Sequence, residues 1–338
     1  MTKETLNNKI HYLNYCGLPW NILMIDSFGD FGPCCDKVLG NMSEYENISS
    51  IWNGEDLVSL RKGLVGGNVS KMCSDCVYLK QMIRKEYASP EEIKDIWGGL
   101  RPNPPDKICK RGPKVITVDF TSKCNLRCIM CKGDGLERIN NREMDIETIE
   151  ELSSLFFSGL ESLIVGGGGE LFCHSNYHFI LDSIIKNRPK ISSINTNGTV
   201  SLSFDEWGKC VEAFDVVMFS IDALNEKTYE KIRGKNHFSQ IFRNIDILRK
   251  MKKRKGFRFG FNFVIMDTNV EEMYDFTVKA VEKWGASQIN FMHVHGHNHY
   301  SVCKNGDLSN KYNEEMKKIH RYSKTKNEII FTLPGFIQ

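Results

Sequence analysis

The sequence predicts an α/β protein: a partial (β/α)6 barrel of the TIM type, preceded by a small cysteine-rich domain. Three observations carry that reading. From residue 115 onward, short β-branched and aromatic runs alternate with helical segments. Near residue 100 the composition changes, and "GGLRPNPPDKICKRGPK" at 98–114 holds four of the nine prolines, as an extended linker or surface loop would. Ahead of that stretch, five cysteines fall within residues 16–76. The predicted boundaries are 1–97 for the small domain, 98–114 for the linker and 115–338 for the barrel.

The barrel strands follow in order as "KVITVDF", "LESLIVGG", "ISSINTNG", "FDVVMFSID", "FRFGFNFVI" and "SQINFMHV". Helical segments alternate with them at 145–158, 176–187, 238–253 and 270–284. Strands that alternate with helices must lie parallel, joined by right-handed crossovers, because a hairpin turn cannot bring a chain back in the same direction. A further run, "NEIIFTL" at 327–333, is placed to add a last strand. No repeat of solenoid length and no low-complexity tract is present.

Composition bounds the function. At 338 residues the chain is too long for one ordinary domain, and with 41% hydrophobic and 26% charged residues it reads as globular. It has no apolar run of membrane-spanning length, and "MTKETLNNKIHYLNY" lacks the apolar core of a signal peptide, so the expected location is the cytoplasm. The formal net charge is +3, and the one basic concentration, "RKMKKRKGFRFGF" at 249–261, reads as a solvated helix end, not a nucleic-acid footprint. Neither nucleic acid nor membrane is an expected partner. Twelve cysteines in a chain of this kind point to metal or redox work instead of disulfides.

The loop after the first barrel strand, "FTSKCNLRCIMCKG" at 120–133, sets Cys124, Cys128 and Cys131 at C-x3-C-x2-C spacing. A closed metal site takes four ligands; three thiolates on a cubane 4Fe–4S cluster leave the fourth iron open. Such an opening marks a reactive site, and reactive residues of these barrels sit at the C-terminal ends of the strands. The motif resembles the signature of the radical SAM superfamily. The resemblance implies that S-adenosylmethionine chelates the open iron through its amino and carboxylate groups, and that one-electron reduction yields a 5′-deoxyadenosyl radical that abstracts hydrogen from substrate. It also implies a flavodoxin- or ferredoxin-type electron donor. "VGGGGE" ends the second barrel strand, and Gly168, Gly169 and Glu170 stand where the family's GGE motif receives the methionine amino group. By the same resemblance Asn195 or Asn197 in "INTNG" and Ser220 in "FSIDA" contact ribose or carboxylate, and Asn262 lies near adenine. Two positions depart from the pattern: Met130 replaces an aromatic residue, and Leu171 replaces a proline.

The N-terminal cysteines are Cys16, the adjacent Cys34 and Cys35, and Cys73 with Cys76 in C-x2-C spacing. With "GNMSEYENISSIWNGEDLVSLRKGL" between them, the stretch resembles the SPASM or twitch module, an auxiliary iron–sulfur domain of many radical SAM enzymes. The resemblance implies a second 4Fe–4S cluster on Cys16, Cys34, Cys73 and Cys76, with Cys35 as the alternate to Cys34. Four cysteines with one C-x2-C also suit tetrahedral zinc. The module here precedes the barrel, whereas it usually follows it.

Cys35, Cys109, Cys173, Cys210 and Cys303 remain. Cys173, three residues after Glu170, and Cys303, after the sixth strand, are the candidates for a thiol that returns a hydrogen atom to a substrate radical. His293, His295, His297 and His299 alternate along "HVHGHNHY" and read as loop polarity. Arg233 in "KIRG" reads equally as a cofactor contact or a solvated helix end. Trp20, Trp52 and Trp97 read as core of the small domain. The function expected is hydrogen abstraction from a small molecule, such as a sugar or cyclitol, with the auxiliary cluster accepting the electron. Peptide maturation or epimerisation is the alternative within the class, and a non-catalytic iron–sulfur or zinc scaffold the alternative outside it.

Overall fold

The computed structural model describes residues 16–34, 38–65, 73, 76, 106–131, 141–255, 257–294, 300–304 and 306–335. Cys35, Trp97, His295, His297 and His299 lie outside the described residues. The N-terminal part contributes strands β1 (Ile22–Ile25), β2 (Asp30–Gly32) and β3 (Gly40–Asn41), then helices α1 (Ile48–Ile51) and α2 (Glu55–Val65). Six strand-and-helix units follow. They are β4 (Val115–Val118) with α3 (Ile146–Phe156), β5 (Ser162–Val165) with α4 (Tyr177–Lys186), and β6 (Ser192–Thr196) with α5 (Phe204–Ala213). Then come β7 (Val216–Ser220) with α6 (Glu226–Arg233) and α7 (Phe238–Lys255), β8 (Arg258–Ile265) with α8 (Met273–Glu282), and β9 (Gln288–His293) with α9 (Gly306–Ser323). A last strand, β10 (Ile330–Thr332), closes the described chain.

Neighbouring strands β4 to β10 pair in sequence order and all in parallel, the architecture of a partial TIM-type barrel. The run at 327–333 does form a seventh parallel strand. On the other edge, β1 pairs in parallel with β4, and β2 and β3 follow it antiparallel, so one ten-stranded sheet runs through both parts of the chain. Of the segment 98–114, read as an extended linker or surface loop, the described residues lie strapped to the N-terminal part. Trp20 Nε1 donates to Asp106 O and Trp52 Nε1 to Arg111 O, each at 2.7 Å, while Asn53 exchanges two hydrogen bonds with the Cys109 backbone.

Strand periodicity sets the layers. In β4 and β5 every second residue is buried, with Ile116, Val118 and Leu163 wholly inaccessible beneath the helices. Burying each such side chain contributes about 2 kcal/mol. Phe219, Phe261, Phe276 and Trp284 extend this layer through edge and tilted ring contacts. The opposite face carries an amide ladder. Asn290 Nδ2 donates to Asn262 Oδ1 at 3.0 Å, Asn262 Nδ2 to Asn195 Oδ1 at 2.8 Å, and Asn195 Nδ2 to Gly166 O at 3.3 Å. Helix starts follow from local chemistry: Asp145 caps α3, and Ser203 with Glu206 forms a capping box on α5.

Candidate active site

Cys124, Cys128 and Cys131 follow the C-terminal end of β4 in a loop held from three sides. From β5, Glu170 N donates to Lys123 O at 2.8 Å, and a Cβ on Gly169 would collide with the Thr121 carbonyl, so only glycine fits there. Gly168 likewise lies against the Asp119 carboxylate. From β6, Asn197 Nδ2 reaches Asn125 Oδ1 at 2.9 Å and Cys124 Sγ at 3.7 Å, while Asn125 Nδ2 donates to Thr199 Oγ1 at 2.7 Å. From the end of α6, Ile232 O accepts from Ile129 N at 2.9 Å, and Lys235 Nζ donates to Asn125 O at 2.8 Å. The loop is therefore tied to three different strand-and-helix units.

Glu170 is buried, and its partners are neutral. Oε1 accepts from Thr196 Oγ1 at 2.8 Å and Oε2 from Asn197 N at 2.7 Å. Burial pushes its pKa up to about 7, against the pull of those hydrogen bonds. A carboxylate in that state has use for an incoming cation, and S-adenosylmethionine carries an ammonium group, so the residue fits the cofactor. Burial also raises the Cys124 thiol, opposed by the Leu126 backbone and the Asn197 side chain, and raises Cys128, opposed by Arg233.

Other predicted residues separate. Cys173 is half-buried beside the cysteine loop: the Asn125 N–H donates to its sulfur, and burial first, then the Glu170 and Cys124 charges, push it up to about 11. Cys303 is exposed and grouped with Tyr312, which packs on His293. Ser220 ends β7 in register with Asn262, and both Asn195 and Asn262 have their amides committed to the ladder. Cys210 is core. Arg233, which the sequence left between two readings, is buried: its Nη1 donates to Cys128 Sγ at 3.6 Å and its Nη2 pairs with Asp222. Asp222, Asn125 and Thr199 were not singled out in the sequence. Adjacency of Asn125 to Cys124 was the one signal on offer.

In the N-terminal part Cys16 is pushed up to about 12 by burial, with charge on Cys34, Cys73 and Cys76 adding to the shift, so the four thiols share one neighbourhood. Trp20, Leu60 and Leu64 pack against Cys16 and Cys73. Arg61, wholly buried, donates to Pro19 O at 2.9 Å and Asn53 Oδ1 at 3.1 Å and lies 4.6 Å from the Trp52 ring. Among the described residues no three Cys, His, Asp or Glu side chains converge closely enough to hold one metal ion. Each thiolate of a cubane binds its own iron, so cluster ligands stand further apart than four thiolates on one zinc. A cleft of about 680 Å³ opens at the other ends of the strands, against Trp20, Lys114 and Glu161, away from this loop.

Two family models match this architecture: the radical SAM superfamily over residues 118–280, and the iron–sulfur cluster-binding SPASM domain over residues 16–77. The chain carries a radical SAM domain and a SPASM domain. Its cofactors are accordingly S-adenosylmethionine and 4Fe–4S clusters, one of them auxiliary. Among curated relatives, GTP 3′,8-cyclase of Synechocystis sp. is 28% identical over 54% of this chain and 54% of its own length. The subtilosin biosynthesis protein AlbA of Bacillus subtilis is 26% identical over 53% of this chain and 39% of its own. The chain thus spans about half the length, or less, of these curated relatives. Among solved structures, Streptococcus suis SuiB bound to precursor peptide SuiA shares the fold with a TM-score of 0.52 and 13% identity, covering 94% of this chain and 72% of that one. No helix among the described residues is long and apolar enough to cross a membrane.

Proposed function

We propose that this protein is a radical SAM oxidoreductase that removes a hydrogen atom from a small molecule and passes the resulting electron to an auxiliary cluster. The observation that carries the reading is the buried Glu170 carboxylate, joined through Asn197 to Cys124 of the three-cysteine loop. Cys124, Cys128 and Cys131 would hold the open-iron cluster, Glu170 would receive the methionine ammonium, and Cys16, Cys34, Cys73 and Cys76 would hold the auxiliary cluster. When bound, the first cluster with S-adenosylmethionine supplies a 5′-deoxyadenosyl radical. The protein's part is to fix the loop from three sides and to bury the carboxylate that meets the cofactor's cation. Residues 1–97 form the electron-accepting module in this reading, with the chain strapped to it through 106–111. A flavodoxin- or ferredoxin-type carrier would supply the electron.

A peptide substrate is the second reading, favoured by similarity to a bacteriocin biosynthesis protein and by the fold shared with a peptide-bound enzyme. Mössbauer spectra and anaerobic iron content of the intact protein and a Cys124→Ala/Cys128→Ala/Cys131→Ala variant test the assignment. We expect the variant to keep about four irons per chain in a cubane and to form no 5′-deoxyadenosine. Normal 5′-deoxyadenosine formation in the variant would sink the mechanism. Zinc, or no metal, in the variant would remove the electron acceptor and favour epimerisation.

A further inference from the structure

We propose that Asp222 and Arg233 are positioning residues that set the reduction potential of the cluster on Cys124, Cys128 and Cys131, Arg233 by donating to the Cys128 sulfur and Asp222 by holding and partly neutralising Arg233. The inference rests on the proposed function, since it assigns a cluster to those cysteines.

The geometry is that of a fixed charge. Arg233 has a side-chain exposure of 8% and Asp222 of 0%. One end of the guanidinium, Nη1, lies 3.6 Å from Cys128 Sγ, and the other end, Nη2, pairs with Asp222 Oδ2. Asp222 is itself anchored: Oδ1 accepts from Val264 N at 2.7 Å, and its carbonyl accepts from Asn269 Nδ2 at 2.9 Å. Its backbone sits at φ 58, in the left-handed region that a non-glycine residue seldom adopts, so β8 and the loop after it hold this carboxylate in place. The backbone end of Arg233 is tied to the same loop. Ile129 N donates to Ile232 O at 2.9 Å, and at Gly234, φ 76, a Cβ would stand 2.6 Å from Arg127 O. Both ends of Arg233 are therefore anchored to the cysteine loop. A buried Tyr229 shares the pocket with both.

Physics gives the sign. Reduction adds an electron to the cluster, so a nearby cation and an N–H donor to sulfur favour the reduced state and raise the potential. A structural clasp needs the same contacts but predicts no sign. Replacing Asp222 by Asn keeps the acceptor for Val264 N and places at φ 58 one of the residues that best tolerates it, while it leaves Arg233 uncompensated. The potential should then rise. Arg233→Met removes the donor and the cation, and the potential should fall. Because Arg233→Met leaves a buried carboxylate unpaired and can unfold the protein, the Asp222→Asn/Arg233→Met double variant is the safer comparison. It differs from Asp222→Asn only by the arginine.

The experiment is a redox titration of the reconstituted full chain, following the reduced-cluster EPR signal that changes on addition of S-adenosylmethionine, with iron content measured for each variant. The expected result is an increase of about tenfold in the reduction equilibrium constant for Asp222→Asn, ~59 mV for a one-electron couple, and a decrease of similar size from Asp222→Asn to the double variant. Shifts of the same sign, or under about twofold with iron retained, would overturn the inference and leave the pair as a clasp on the loop. A wild-type protein with no signal that responds to S-adenosylmethionine would overturn the functional reading, and this inference with it.

Discussion

Glu170 is a carboxylate held where ionisation is costly. Its pKa stands at about 7 against an ordinary 4.5, and burial is the cause. The folded chain therefore keeps this proton to higher pH than the unfolded chain does. Stability from this group is full below about pH 4.5 and declines as pH rises toward about 7, by roughly 3 kcal/mol. Urea midpoints of the cofactor-free protein should fall between about pH 5 and about pH 7.5, and Glu170→Gln should remove most of that slope. A second prediction concerns Cys173, whose thiol at about 11 keeps its S–H at neutral pH, the form a hydrogen donor needs. In the epimerisation alternative, where the substrate radical takes back a hydrogen atom instead of losing an electron, Cys173→Ala should leave 5′-deoxyadenosine formation in place and abolish solvent deuterium incorporation into product. Unchanged incorporation would remove Cys173 from the chemistry.

At the scale of the element, the turns and helix contacts carry the design. Gly169 joins the turn after β5 to the cysteine loop, and Gly169→Ala must push the Thr121 carbonyl aside. Iron at the three-cysteine site should fall several-fold in that variant while the N-terminal site keeps its iron. Gly208, inside α5, is the counterexample, since a Cβ there meets nothing within 4 Å. Gly208→Ala should stabilise the protein by about 1 kcal/mol in denaturant titration. In α2, Arg61 binds the turn at Pro19 and the corner at Asn53, and Arg61→Met should cost on the order of 3 kcal/mol and loosen the strap at 106–111.

For the whole molecule, the controlling feature is the pairing of β1 with β4. It runs over four residue pairs from Ile22↔Val115 to Ile25↔Val118 and makes the two parts of the chain share a sheet. Removing residues 1–97 would bare the edge of β4 and take away Trp20 and Trp52, the hydrogen-bond partners of the strap. Such a truncation should self-associate at micromolar concentration in sedimentation more than the full chain does, because an unpaired edge strand templates further pairing. A monomeric truncation with intact secondary structure would show that the barrel does not depend on β1.

Local features were legible in the sequence because they are local. Alternation of period 2 in "KVITVDF" and of helical period in the segments between strands required parallel order, and three thiolates seven residues apart at most resembled the motif of a cluster with an open iron. The seventh strand was readable from "NEIIFTL" for the same reason. What only the tertiary structure decided lies in contacts far apart along the chain. The cysteine spacing says nothing of Arg233, which reaches Cys128 from 105 residues away, nor of Asp222, whose role depends on the strands that bury it. Proline content made 98–114 read as an extended linker or surface loop, and the indoles of Trp20 and Trp52 bind its described residues down by hydrogen bonds that no propensity encodes. Propensity and ligand spacing act within a few residues, whereas the charge at a sulfur and the partner of a strand edge are set by whatever the packed fold brings there.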